Sequence, residues 1–348
     1  MQRTFDTFSI PKDLHITEAR AGETHIYVTW SDGHKSSYSW HFLHPGAHSA
    51  AKPMTDVVPV LWNAREINLR EPRSIKYAQV MDSEAGVARL TMNIRTLGFS
   101  FVTDTPYEDP NDTKRLLERI AFIRQTHYGG FYDFQPDLAM ADTAYTNLAL
   151  APHTDNTYFT EPAGLQAFHC LAHEPPKGQA DAPGGDSLLV DGFKAARMLA
   201  EQDPDAVGIL SNVPIPWHAS GNEGITIGPD KLYPVLEFHR RELHRIRWNN
   251  DDRGVVPISE LGTGKSVEAW YEAARKWDQI LRSQEMQYQF KLTPGTVLIF
   301  DNWRVLHGRT AFEGIRRICG GYINRDDFIS RFRNTNYGHE SSVERILR

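Results

Sequence analysis

The chain reads as mainly β with flanking helices: a double-stranded β-helix, or jelly roll, preceded by a small N-terminal β domain. Three observations lead there. Short strand-like runs recur along the chain with turn residues between them. Helical periodicity is confined to a few segments. The composition, 40% apolar and 24% charged over 348 residues, is that of a globular protein with room for one large core and a smaller companion. The division is expected near residue 60, giving a small β domain at 1–60 and the jelly roll at 61–348.

In the first segment His25-Ile-Tyr-Val-Thr-Trp30 alternates as a strand, Ser31-Asp-Gly33 makes a turn, and Ser36 to Phe42 follows as the next strand. A stretch of Gly, Pro, Ala and Ser at 45–55 is a linker. Residues 83–95 place Val87, Leu90 and Ile94 on one helical stripe. A buried strand at 97–102 follows, and then a helix with Leu116, Leu117, Ile120 and Ile123 inward, capped by Asn111 or Asp112. Further strand-like runs lie at 164–171, 187–190, 233–238, 243–248, 286–292, 296–300 and 318–323. Helices at 193–201 and 267–282 interrupt them.

Composition excludes several function classes. A net charge of −6 gives no electrostatic footprint for nucleic acid or an anionic membrane. No apolar run approaches membrane-spanning length. The two cysteines, Cys170 and Cys319, sit in apolar strand-like runs, as buried thiols do in a reducing compartment. The first residues have neither a secretory apolar core nor an Arg-rich amphipathic pattern. A cytoplasmic location is therefore expected, or a mitochondrial one if the native start lies upstream. A homodimer is compatible with all of this.

The chemistry centres on His153-Thr-Asp155 and, far downstream, His307, with Arg316 nine residues later. Two imidazoles and a carboxylate are the facial ligand set of non-haem iron(II) oxygenases, which leaves positions open for substrate and O₂. His-x-Asp alone is weak: roughly one such triplet arises by composition, and on its own it reads as a surface loop. Context strengthens it. Pro152 keeps the preceding backbone extended, and His307 follows a buried β run, 297–300, and a turn. Ligands on loops of a β scaffold are what an open iron site needs.

Arg316 and Arg317 start a strand, so alternation sends one guanidinium inward, where it can pair with a dicarboxylate cosubstrate, and the other to solvent. Ser187 can donate to the same carboxylate, or simply serve a turn. Tyr128, Tyr132, Tyr145 and Tyr322 bracket the metal motif. Aromatic faces of this kind either surround a quaternary ammonium group or pack a barrel mouth. Asp142, Asn249 and Asn250 can orient the amino and carboxylate groups of a small zwitterionic amino acid.

These pieces carry a resemblance. Asp142-Thr-Ala-Tyr-Thr146, Pro152-His-Thr-Asp-Asn-Thr-Tyr-Phe159, Val190-Asp-Gly-Phe193, Ile246-Arg-Trp-Asn-Asn-Asp-Asp-Arg253, Phe300-Asp-Asn-Trp-Arg-Val-Leu-His-Gly-Arg309 and Tyr322-Ile-Asn-Arg-Asp-Asp327 resemble the trimethyllysine dioxygenase and γ-butyrobetaine hydroxylase family of iron(II)/2-oxoglutarate-dependent oxygenases. Trp30-Ser-Asp-Gly33 resembles that family's small domain. The resemblance implies iron(II) held by His153, Asp155 and His307, 2-oxoglutarate anchored at Arg316, O₂ as oxidant, and an ammonium cage at Tyr128, Tyr132, Tyr145 and Tyr322. The implied reaction is hydroxylation of C3 of N6-trimethyllysine, a step towards carnitine. The alternatives are a γ-butyrobetaine hydroxylase, which Asp142 disfavours, and an oxygenase of an unmethylated amino acid. A metal-free jelly-roll binding protein is the rival from another class. Two departures stand out. The segment 40–48 lacks the cysteines with which relatives bind zinc. Tyr132 stands where the family pattern has tryptophan, a stronger cation–π partner.

Overall fold

The computed structural model describes residues 6–44, 57–70, 74–134, 147–180, 182–221, 223–262 and 266–347. Contacts divide the chain into two compact units, Met1–Asp56 with His339–Arg348, and Val57–Gly338. In the first, β1 (Ile16–Ala21), β2 (His25–Trp30) and β3 (Lys35–Ser39) form an antiparallel meander. The strand expected to run to Phe42 ends at Ser39. The Ser39 hydroxyl accepts from the Phe42 N–H and caps the short α1 (Trp40–Leu43), so the chain turns helical there. The helix α10 (His339–Leu347) belongs to the same unit.

The second unit is mostly sheet with helices. Its strands are β4 (Ser74–Lys76), β5 (Phe99–Thr103), β6 (Tyr132–Phe134), β7 (Leu150–His153), β8 (Leu165–Glu174), β9 (Ser187–Asp191), β10 (Leu236–His239), β11 (Glu242–Ile246), β12 (Tyr288–Phe290), β13 (Val297–Asp301), β14 (Val305–Arg309) and β15 (Ile315–Ile323). They make a six-stranded sheet in the order β4-β5-β13-β8-β15-β6 and a four-stranded sheet in the order β12-β9-β14-β7, with β10-β11 as a separate ribbon. All pairs are antiparallel except β4 with β5.

Period-two alternation sorts the side chains. Phe99, Leu298, Phe300, Leu189, Val305 and Ile318 form one buried cluster drawn from both sheets. Their neighbours face outward. Val297, Ile299, Ala167 and Ile323 of the six-stranded sheet pack under α3 (Tyr77–Asp82), α4 (Glu84–Leu97), α5 (Pro110–Ile120) and α9 (Arg325–Tyr337). Val190 and Leu306 of the four-stranded sheet pack under α6 (Gly192–Gln202), α7 (Pro204–Asn212) and α8 (Val267–Arg282). The short α2 (Ala64–Arg70) adds Ile67 to the cluster between the sheets.

The expected helices at 83–95, 193–201 and 267–282 correspond to α4, α6 and α8. The cap of α5 differs from expectation. Asp109, with Pro110 in the first turn, accepts from the Asn111 N–H, so the cap precedes Asn111 and Asp112. Proline's fixed φ suits that first position. Gly98 closes α4 at φ +86°, and the chain turns directly into β5. Helices α7 and α9 had no separate forecast.

One buried ion pair ties the sheets to the segment before α2. Arg304 makes a two-pronged contact with Asp191 at 3.0 and 2.7 Å, and donates to the Thr96 and Val60 carbonyls. Asp191 also accepts from the Trp62 N–H. Both charged side chains are almost fully buried. Arg304→Ala strands a carboxylate and two carbonyls, so urea unfolding should show a loss of about 3–5 kcal/mol. A loss under about 1 kcal/mol would mean that water or a neighbour replaces the guanidinium.

Candidate metal and substrate site

His307 was expected just after a turn. It lies inside strand β14, directly opposite His153 at the end of β7. The turn 302–304 is so tight that pairing resumes at once. Gly308 makes the close approach of these strands feasible, because a Cβ there would lie 2.5 Å from the Leu150 carbonyl oxygen. With both imidazoles on the inward face, their ring centroids are 4.3 Å apart.

Asp155 completes the group. Its Oδ1 is 3.3 Å from His153 Nε2 and 3.8 Å from His307 Nε2. Asn302 fixes its backbone. The Asn302 Oδ1 accepts from the Asp155 N–H at 2.9 Å, while Nδ2 donates to the carbonyls of Asp155 and Ala163. The other carboxylate oxygen, Oδ2, accepts from the Tyr322 hydroxyl at 2.7 Å and from Gln166 Nε2 at 2.6 Å. Asp155 therefore has one oxygen held and one turned to the histidines. Burial opposes its charge, but His307, His153 and Tyr322 hold its pKa well below the usual carboxylate range. Burial and the charge of His153 push His307 down to about 3. The Tyr322 hydroxyl is pushed well up by burial and by Asp155, so it stays a donor.

These residues fit a metal ion. The three ligand atoms lie within 4.8 Å of one another. Two separations, 3.3 and 3.8 Å, fall inside the roughly 4.2 Å that ligands at about 2.1 Å from a common ion can span. The Ala151 carbonyl accepts from His153 Nδ1 at 2.8 Å, which leaves Nε2 as the ligand nitrogen.

The group opens into a cavity of about 400 Å³. Of the residues singled out in the sequence, Tyr128, Tyr132, Ser187, Asn249, Arg316 and Tyr322 line it together with the triad. Asn250 does not line it, because its side chain accepts from Arg253 Nε at 2.9 Å. Asp142 and Tyr145 lie outside the described residues.

Arg316 and Arg317 diverge as alternation requires. Arg317 is part-exposed and pairs with Asp133 at 2.9 and 2.5 Å. Arg316 is 7% exposed, and burial lowers its pKa with no opposing carboxylate among the described residues. Arg309, unnoticed in the sequence, lines the same wall and is brought down to about 10 by burial and by Arg316's charge. The buried guanidinium of Arg316, with Arg309 on the same wall, makes that end of the cavity positively charged and suited to a carboxylate.

Further along the cavity the rings of Tyr132 and Tyr322 meet edge to face at 5.8 Å, and Tyr128 packs on His127 at 3.9 Å. Gly320 leaves room for the Tyr132 hydroxyl to reach β8. A Cβ there would fall 1.9 Å from the Ala167 carbonyl oxygen, the acceptor of the Tyr132 hydroxyl. Sequence reasoning passed over Gln166, Asn302, Asn156 and Tyr158. Gln166 had a legible signal, a polar residue on the same face as Phe168 and Cys170 within an apolar strand. Tyr158 was the aromatic nearest the His-x-Asp motif.

Comparison with known proteins agrees with this geometry. Residues 59–322 match the model of the "Taurine catabolism dioxygenase TauD, TfdA family", and residues 1–44 match that of the "Gamma-butyrobetaine hydroxylase-like, N-terminal" family. A trimethyllysine dioxygenase of Neurospora crassa is 57% identical over 99% of this chain and 78% of its own length. The human mitochondrial trimethyllysine dioxygenase is 38% identical over 95% and 77%, and human gamma-butyrobetaine dioxygenase 27% identical over 88% and 79%. Among solved structures, a putative alpha-ketoglutarate-dependent taurine dioxygenase from Burkholderia xenovorans superposes with a TM-score of 0.52 at 13% identity, covering 77% of this chain and 88% of that one. That likeness supports the jelly-roll fold. With a family model spanning the catalytic unit and a relative alike along nearly its whole length, this chain belongs to the TauD/TfdA family of 2-oxoglutarate-dependent iron dioxygenases, and within it to the trimethyllysine dioxygenases.

Proposed function

We propose that this enzyme hydroxylates C3 of N6-trimethyllysine, converting 2-oxoglutarate and O₂ to succinate and CO₂, with His153, Asp155 and His307 as the iron ligands. The single observation that carries the reading is one cavity combining a two-histidine, one-carboxylate group, an arginine end and tyrosine faces. The relatives named for trimethyllysine supply the substrate. Bound iron(II) would activate O₂, the oxidant, with 2-oxoglutarate as the co-reductant. The chain's own residues bind and aim. Arg316, aided by Arg309 and Ser187, takes the far carboxylate of 2-oxoglutarate. Tyr128, Tyr132 and Tyr322 face the quaternary ammonium, joined by Tyr145 in the implied cage. Asn249, with Asp142, serves the head group, whereas Asn250 is assigned no part in it.

The proposal extends to organisation. Residues 1–60 are read as a small β domain and 61–348 as the oxygenase domain, a homodimer is compatible with this reading, and no nucleic acid is expected as a partner. No helix among the described residues is long and apolar enough to cross a membrane. The compartment is proposed as cytoplasmic or, as the names of the vertebrate relatives suggest, mitochondrial.

The deciding experiment is succinate release by the iron-loaded enzyme with trimethyllysine, γ-butyrobetaine, lysine and small aliphatic amino acids. Trimethyllysine should give the highest kcat/KM. Preference for an unmethylated amino acid would remove the substrate assignment. His153→Ala and His307→Ala should each abolish turnover and lower bound iron, because a three-ligand site does not spare an imidazole. Full iron occupancy in either variant would mean the ligands are misassigned.

The arginines should separate. Arg316→Ala should weaken 2-oxoglutarate by about 2–5 kcal/mol, the usual cost of removing one partner of a buried charge pair. Arg317→Ala should change it little, since that side chain is already paired at the surface. Calorimetric titration under argon reads both, and equal effects would contradict the inward and outward assignment.

Tyr322 has two tasks, and Tyr322→Phe isolates one of them. The ring remains for the substrate, but Asp155 loses a hydrogen bond to a charged group, about 1.5–3 kcal/mol. Iron affinity should fall roughly tenfold or more while KM for trimethyllysine moves little. Tyr132→Leu should do the reverse, raising KM about tenfold with iron binding intact. The same profile in both variants would mean the two tyrosines share one role.

A further inference from the structure

Asn156 directly follows Asp155 and lines the same cavity. It is 1% exposed, and neither its Oδ1 nor its Nδ2 finds a hydrogen-bond partner. The amide interacts with the Tyr158 hydroxyl, whose pKa it lowers against burial, but neither amide atom meets hydrogen-bond geometry. A buried carboxamide with both ends vacant is unusual, because buried polar groups are nearly always paired. The residue has a backbone reason to be asparagine: φ is +59°, and its carbonyl accepts from the Phe159 N–H to close a turn. That reason fixes the backbone and leaves the amide without a task.

The vacancies specify a ligand. Oδ1 needs an N–H or O–H donor, and Nδ2 needs an acceptor. A quaternary ammonium has no N–H and satisfies neither. The carboxylate of 2-oxoglutarate satisfies Nδ2 only, and the arginine end of the cavity already suits it. An α-amino-acid head group carries an ammonium and a carboxylate on one carbon and can satisfy both ends at once. Asp252, half-buried on the same wall, adds negative charge that favours an ammonium there.

We infer that the Asn156 carboxamide reads the substrate's α-amino-acid head group, accepting from its ammonium through Oδ1 and donating to its carboxylate through Nδ2. This rests on the amino-acid substrate proposed above and deepens it. Asn156 becomes a specificity residue that separates an amino acid from a betaine, which has a carboxylate but no amine. A site built to hydrogen-bond a group discriminates strongly against analogues that lack it.

Asn156→Gly tests this, because glycine keeps the left-handed backbone and removes only the amide. Steady-state kinetics of the iron-loaded wild type and variant are compared on trimethyllysine, lysine and γ-butyrobetaine, with 2-oxoglutarate affinity measured by calorimetry under argon. In the variant, KM for trimethyllysine should rise tenfold or more, 2-oxoglutarate affinity should stay within about twofold, and the preference for trimethyllysine over γ-butyrobetaine should narrow. If glycine destabilises the turn, Asn156→Asp serves as the second variant. It tolerates the same φ, loses the donor, repels the carboxylate and should raise KM likewise. A KM within twofold of wild type, or a parallel loss of 2-oxoglutarate affinity, overturns the inference and leaves asparagine with a backbone role alone. Should the wild type prefer lysine, the trimethyllysine reading fails, and the variant-to-wild-type KM ratio on lysine still decides the role of Asn156. Turnover of γ-butyrobetaine alone overturns both.

Discussion

Pairing of β14 with β7 is the constraint on which the site depends. It sets His307 opposite His153 and aims both rings between the sheets. A slip of one residue on β14 would bring Leu306 or Gly308 inward and bury an imidazole under the helices. The register is protected from several sides. β14 also pairs along its whole length with β9, Leu306 is committed to the helix-side core, and Gly308 alone fits against the Leu150 carbonyl. The turn before β14 adds Arg304, locked onto Asp191 at the end of β9. Ordinary core packing and one buried ion pair thus fix the distance between two imidazoles.

Asp155 lies beyond the end of β7 and needs a different support. Backbone outside a sheet has no ladder partners, so its polar groups must find others. Asn302 provides them, using both ends of its amide on the Asp155 main chain. The carboxylate is then divided between Tyr322 and Gln166 on one oxygen and the histidines on the other. An unbraced carboxylate could turn either oxygen, or both, towards an ion. Here one geometry is selected before any ion arrives, which is preorganisation of the ligand by its surroundings.

The site was legible where it depended on residue type and strand period. His153, Asp155 and His307 stood out by chemistry. Alternation put Arg316 and Arg317 on opposite faces, and the resemblance picked Arg316 as the inward one, which is buried while Arg317 pairs with Asp133. Most strand positions followed from apolar runs bounded by turn residues. Boundaries were less readable where a side chain overrode the pattern, as Ser39 does in ending β3 and Asp109 in starting α5. His307 was placed after a turn because three residues, 302–304, give no hint that pairing resumes so soon. The bracing residues were illegible for a physical reason. Asn302 and Gln166 are neutral amides, common throughout any chain. Their importance comes from burial and from partners distant in sequence, which no local pattern records. Asn249 and Asn250 make the same point. They are adjacent and identical, yet Asn249 meets the cavity while Asn250 holds Arg253.

Tyr322 links metal and substrate through a single side chain. Its hydroxyl is spent on Asp155 and its ring forms part of the aromatic wall. In the proposed reading, a cation seated against that wall lies beside the group that holds a ligand of the iron. The two demands reinforce each other. A rigid hydroxyl–carboxylate bond fixes the ring plane, and a fixed ring loses less entropy when the cation binds. The cost is a restriction on change. Replacing Tyr322 to accept a different side chain would also remove one of the two donors that hold Asp155 Oδ2, leaving Gln166 alone. The Tyr132 hydroxyl donates instead to the Ala167 main-chain carbonyl. In the proposed reading, that bond engages main chain rather than an iron ligand, so substrate size is easier to vary at Tyr132 than at Tyr322.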